Sequence, residues 1–121
     1  VDDFVIFHSS QKQLEEIKKE IGKFLQEKLK LSLHPQKSRI IPLLRGVDFL
    51  GFRNFKNFKL LRKRNIRAMR KKIYLFTKGL IGFRELLDSH QGWQAYAQWG
   101  DTFNLRNKIK AEIIDAVWDK F

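Results

Sequence analysis

The chain has 121 residues, 43% of them hydrophobic and 31% charged, with no Cys and a formal net charge of +12. That is the size and mix of one modest folded domain rather than a disordered tail, and without Cys there is neither a disulfide framework nor a thiolate zinc site. No apolar run approaches the roughly 20 residues of a membrane span and no secretory signal pattern is present, so a cytoplasmic protein with no membrane partner is expected.

The first predicted element follows two adjacent carboxylates, Asp2 and Asp3. Phe4-Val5-Ile6-Phe7 places four large apolar residues in succession, which cannot alternate between core and water, so a fully buried strand is expected with the acidic pair at its mouth. The chain starts at Val1 without an initiator Met and reads as a piece of something longer. Ser10 with Gln13 forms a capping box, and Leu14, Ile17, Ile21, Phe24, Leu25 and Leu29 recur at helical spacing, predicting a helix from about Gln11 to Leu29. Leu29, Leu31 and Leu33 then alternate with polar residues, a short strand stopped by Pro35.

Residues 38–44 and 47–52 are β-rich and separated by Arg45-Gly46, which predicts a hairpin with Gly at its turn. Beyond it the period changes to helical, with Ile66, Met69, Ile73 and Phe76 on one face and Gly79 closing the helix. Ser89 is expected to cap a helix carrying Trp93, Tyr96 and Ala97. Asp101 is expected to cap a last one through Phe103, Ile109, Ile113, Val117 and Phe121. Trp93, Trp99 and Trp118 are assigned to the core rather than to base stacking, since their spacing is helical. The fold class expected is α+β, with one composition shift near Phe58 to Lys63.

The charge is unevenly placed. Residues 1–33 carry six Lys and six acids, and from Phe49 to Arg84 there are twelve Lys or Arg and no acid. Such a one-sided field favours a polyanion, because each neutralised phosphate releases condensed counterions. The candidate contacts are Arg53, Lys56, Lys59, Arg62, Lys63, Arg64, Arg67, Arg70, Lys71 and Lys72. A solvated helix face is the alternative, but such faces usually mix signs.

Asp2 and Asp3 are hard oxygen donors suited to magnesium, which takes only a few carboxylates, so the pair is part of a metal site or an ordinary turn. The three His show no pair at metal spacing, and no Gly-rich phosphate loop or Ser-His-Asp set is visible.

The order Val1-Asp2-Asp3-Phe4-Val5-Ile6-Phe7, a helix, Leu31 to Ser38 with Pro35-Gln36-Lys37, and then Phe49-Leu50-Gly51-Phe52 resembles the palm of bacterial reverse transcriptases. The relatives are the RNA-directed DNA polymerases of group II introns, retrons and diversity-generating retroelements. In that family a Tyr-x-Asp-Asp hairpin holds the metals, and here the Tyr position precedes Val1. The resemblance implies a partial palm with few antiparallel strands and one helix over residues 1–58, then an all-helical thumb over 59–121.

It also implies that Asp2 and Asp3 are catalytic and bind metal, Asp2 as the principal ligand, in a two-Mg2+ site completed by a carboxylate from elsewhere. Lys37 would lie near the incoming nucleotide as a catalytic residue, and Phe49, Leu50, Gly51 and Phe52 would form the primer grip. The partners implied are an RNA template, a DNA primer and deoxynucleoside triphosphates. The parent would synthesise DNA on RNA, and this segment alone would be inactive. The alternative is a non-catalytic basic domain that binds RNA or DNA duplex. Oligomeric state is left open, with an edge-strand dimer expected if truncation has bared a strand.

Overall fold

The computed structural model describes residues 3–121. The chain is α+β, with four α-helices and one three-stranded antiparallel sheet among the described residues. Its contacts divide it into two compact units, Val1–Pro42 and Leu43–Phe121. Among the described residues, no helix is long and apolar enough to cross a membrane.

The first unit is built on α1, Gln11–Phe24. Ser10 caps it, its Oγ accepting from the Gln13 N–H at 3.3 Å, but the other half of the expected capping box is replaced, the Ser10 N–H donating to His8 Nδ1 at 2.9 Å. The helix does not run regularly to Leu29. It widens into a π-helical turn over Leu25–Leu29, ended by Lys30 in the left-handed region at φ 55°. That left-handed residue breaks the extended backbone which the Leu29-Leu31-Leu33 alternation requires, so the expected strand there does not form. Leu33 instead lies beside Gly22, and Lys18 Nζ donates to the Ser38 carbonyl at 2.5 Å, so residues 33–40 run along α1.

Residues 4–7 form no strand, and Phe4, Ile6 and Phe7 are exposed. An apolar pattern favours burial, but a strand must also satisfy its backbone N–H and C=O groups on a neighbour. Among the described residues of this unit there is no strand to supply them.

The second unit opens with a 3-10 turn at Leu43–Arg45, where the sequence suggested strand. The sheet comprises β1 (Val47–Phe49), β2 (Phe52–Asn54) and β3 (Lys59–Leu61), in that spatial order. Its first turn is Leu50-Gly51, not Arg45-Gly46, and Phe49 pairs with Phe52 across it. Both turn residues have positive φ, 52° and 82°, the pattern of a two-residue type I′ hairpin whose twist matches the flanking strands. Gly46 is also left-handed, at φ 78°, but it leads into β1 rather than joining two strands. β3 has no signature in the sequence, since three residues carry too little periodicity to register.

Three helices follow: α2 (Lys63–Thr77), α3 (Phe83–Ala97) and α4 (Phe103–Trp118). Gly79 ends α2 as expected, at φ 72°, with its N–H on Phe76 O and the Leu80 N–H on Leu75 O at 2.9 Å each, a Schellman closure. The caps of the next two helices differ from expectation. Gly82, not Ser89, precedes α3, and Ser89 lies inside it, while Thr102 rather than Asp101 precedes α4.

The core is a single cluster from all three helices and the sheet: Met69, Ile73 and Phe76 of α2, Leu86, Trp93 and Ala97 of α3, Ile109 and Ala116 of α4, with Phe52 and Leu61. Residues on both sides of position 58 therefore belong to one packed body. Trp93 is buried and donates its indole N–H to Asn65 Oδ1 at 2.7 Å, whereas Trp99 and Trp118 are 70% and 75% exposed, against the core assignment. Phe103 and Phe121 are likewise exposed. Ile109, Ile113 and Val117 do face the core as expected, joined by Ala116.

Candidate nucleic-acid interface

The basic segment becomes two kinds of cation once folded. Met69, Ile73 and Phe76 turn one face of α2 into the core, so positions on the opposite face point to water. Those positions are Lys63, Arg64, Arg67, Lys71 and Tyr74, all exposed, and the spacing of three and four aligns them in a stripe. Lys78 continues it just beyond the helix, its ammonium 5.5 Å from the centre of the Tyr74 ring.

The remaining predicted contacts flank that stripe and are tied to acids from elsewhere. Arg70 meets Glu112 of α4 bidentately, Nε to Oε2 at 3.1 Å and Nη2 to Oε1 at 2.9 Å. Lys72 meets Glu85 of α3 at 2.9 Å. On the sheet, Asp48 of β1 accepts from Arg53 directly across the hairpin at 2.9 and 3.3 Å and lies 3.6 Å from Arg62. The Arg53 hydrogen bond holds the Asp48 carboxyl below its ordinary value, against a smaller opposing effect of burial. Glu112 similarly raises Arg70 above its ordinary value. The run of residues without an acid is thus bordered in space by Asp48, Glu85 and Glu112.

Among the described residues, Lys56, Lys59, Lys63, Arg64, Arg67 and Lys71 make no ion pair with an acid. Lys59 lies over the Phe52 ring, 4.8 Å from its centre. Ion-paired guanidinium groups are partly neutralised and positioned, so the α2 stripe is where an anion meets cations still carrying their full charge.

The hairpin expected to act as a primer grip is braced from behind. Phe52 is buried, its ring 4.9 Å from that of Tyr96 near the end of α3, and the Tyr96 hydroxyl donates to the Leu50 carbonyl. A Cβ at Gly51 would overlap that hydroxyl, so the close approach that requires glycine here comes from within the chain. Leu50 projects its side chain to solvent, 75% exposed. Tyr96 was not singled out by the sequence, where it reads only as another apolar helical position.

Asp3 is exposed, and Asp2 lies outside the described residues. Lys37 is exposed in the turn after His34, whose Nδ1 accepts from the backbone N–H of Gln36 and of Lys37 at 3.2 Å each. Among the described residues, no three His, Asp or Glu side chains converge on a point that would hold a metal. Asp3 offers a hard oxygen donor of the kind magnesium takes.

Comparison with protein-family models and with curated proteins finds no match.

Proposed function

We propose that the chain is the carboxyl-terminal palm and thumb segment of a reverse transcriptase, and that its own task is to hold the primer-template duplex through the α2 stripe. The observation that carries the duplex reading is the stripe itself. Lys63, Arg64, Arg67 and Lys71 line the face of α2 opposite the core, while the neighbouring Arg70 and Lys72 are engaged by Glu112 and Glu85. A row of cations along one helix can contact backbone phosphates without reading bases.

Support for the polymerase reading is the order of motifs in the sequence together with the hairpin formed at Phe49–Phe52. In the parent, Asp2 and Asp3 would contribute to a magnesium site whose ions activate the primer hydroxyl and take charge from leaving pyrophosphate. Lys37 would neutralise the triphosphate of the incoming nucleotide. The non-catalytic alternative shares the stripe and differs only in the role of the acidic pair.

Two experiments test this. Fluorescence anisotropy with a blunt RNA–DNA hybrid across a salt series should give affinity that falls steeply with salt, and a flat response would remove the duplex reading. Primer extension by the full parent polymerase should be lost on Asp2→Ala or Asp3→Ala, while the segment alone incorporates nothing. Full extension by both variants would leave the non-catalytic alternative.

A further inference from the structure

We propose that a recess between the β2–β3 turn and the α3–α4 connection is a stacking site for an unpaired nucleotide of a nucleic-acid strand. It is an open recess of about 540 Å³ lined by Asn57, Phe58, Lys59, Trp99 and Asp101. The choice of a strand as ligand rests on the nucleic-acid reading above.

Both walls are fixed before any ligand arrives. On the helical side, Thr102 is buried and its Oγ1 donates to the Ala97 carbonyl at 2.5 Å, while the Asp101 N–H donates to Lys59 O of β3 at 2.8 Å. Gly100 between them is packed so closely that a Cβ would come within 2.8 Å of the Phe52 ring. Trp99 is therefore exposed on a clamped loop, not on a loose one. On the sheet side, the Phe55 N–H donates to Phe58 O at 2.9 Å, and the two rings stack at 4.7 Å and 17°.

The lining matches a nucleobase and its phosphate. Trp99, 70% exposed, and Phe58, 49% exposed, offer flat aromatic surface, and every base has a face to lay on it. Asn57 supplies an amide donor and acceptor and Asp101 an acceptor for the base edge, while Lys59 supplies a cation for the phosphate. An aliphatic ligand would leave those polar groups unused. Lys56 stands exposed in the same turn, and the unit carries seventeen Lys or Arg against seven acids, so a strand with several phosphates is favoured over a single free nucleotide. This recess lies apart in sequence from the α2 stripe, and the two can be tested separately.

The experiment compares the full chain on a blunt RNA–DNA hybrid, the same hybrid with a short single-stranded overhang, and the overhang made abasic. A Trp118→Phe background leaves Trp99 as the exposed indole reporter. The overhang should tighten binding about tenfold and quench the fluorescence, in keeping with stacking energies of ~1–3 kcal/mol per base. The abasic overhang and Trp99→Ala should each erase the gain while blunt affinity stays unchanged, and Trp99→Phe should keep part of it. Equal affinity for blunt and overhang hybrids would overturn the proposal, as would a gain that survives Trp99→Ala. A mononucleotide that quenches Trp99 at the same concentration as a single-stranded oligonucleotide would also overturn the assignment to a strand. If the blunt hybrid does not bind but the oligonucleotide alone still quenches Trp99, the duplex reading fails and the stacking site stands.

Discussion

The hydroxyl of Tyr96, the penultimate residue of α3, donates to the carbonyl of Leu50 in the first hairpin turn. A leucine in the left-handed region costs ~1–2 kcal/mol, and such a conformation persists only where its surroundings hold it. Tyr96 and the Phe52 ring against it are those surroundings. Tyr96→Phe should therefore cost about 1 kcal/mol in urea unfolding, the value of one hydrogen bond. An unchanged unfolding midpoint would mean that the hydroxyl braces nothing.

At the same turn, Leu50→Asn should stabilise the fold by roughly 0.5–1 kcal/mol, because Asn tolerates positive φ and Asn-Gly is the preferred type I′ pair. Gly51→Ala should destabilise by more than about 1 kcal/mol, through its φ of 82° and the overlap of the new Cβ with Tyr96. Thermal melts of the two variants should move in opposite directions, and a common direction would refute the turn assignment.

Neighbouring cations of α2 should separate binding from stability. Arg67→Glu and Lys71→Glu should leave the melting temperature nearly unchanged and weaken hybrid binding, each flattening the salt slope by about one unit. Arg70→Glu sets two carboxylates against each other on α2 and α4 and should lower stability by about 1 kcal/mol, with recovery in the exchanged pair Arg70→Glu, Glu112→Arg. Equal effects of Arg67→Glu and Arg70→Glu on the melt would contradict this division.

Two groups give stability a pH dependence of the same sign by different routes. Asp48 is lowered in the folded state mainly by its Arg53 hydrogen bond, so its contribution is present above about pH 4 and is lost as pH falls through the lower folded value. His90 is lowered by burial and then by the charge of Lys110, and its Nε2 is buried without a hydrogen-bond partner. The unfolded chain then binds the imidazole proton first, so stability should begin to fall as pH drops below about 6.5. Melts between pH 7.5 and pH 5.5 should show a decline that His90→Gln reduces, and Asp48→Asn should leave that interval unchanged while flattening the fall below pH 4.

Leu86 and Ile109 are fully buried at the centre of the three-helix core. Leu86→Ala should cost ~2–5 kcal/mol, whereas Trp118→Ala, removing a larger but exposed side chain, should stay within about 0.5 kcal/mol. Denaturant titration separates these outcomes, and a large loss at Trp118 would place it in the core after all.

Elements whose signals are local are legible in the amino-acid sequence alone. The Ser10 cap, the inward face of α2 and the Gly79 closure each depend on residues within two turns of one another, and all three form as read. So does the α+β class. Of the candidate interface, the concentration of positive charge was legible, because charge is carried by residue type alone.

Which of those cations remain unpaired was decided by tertiary structure. Glu112 lies 42 residues from Arg70 and Glu85 lies 13 from Lys72, and no local pattern brings them together. The apolar run Phe4 to Phe7 shows the same limit from the other side. Its composition calls for burial, but a strand forms only against a partner that satisfies its backbone groups, and composition cannot supply one. The first hairpin turn went to Leu50-Gly51 over Arg45-Gly46 through the packing of Phe52 and the hydrogen bond from Tyr96, contacts that exist only once α3 is folded against the sheet.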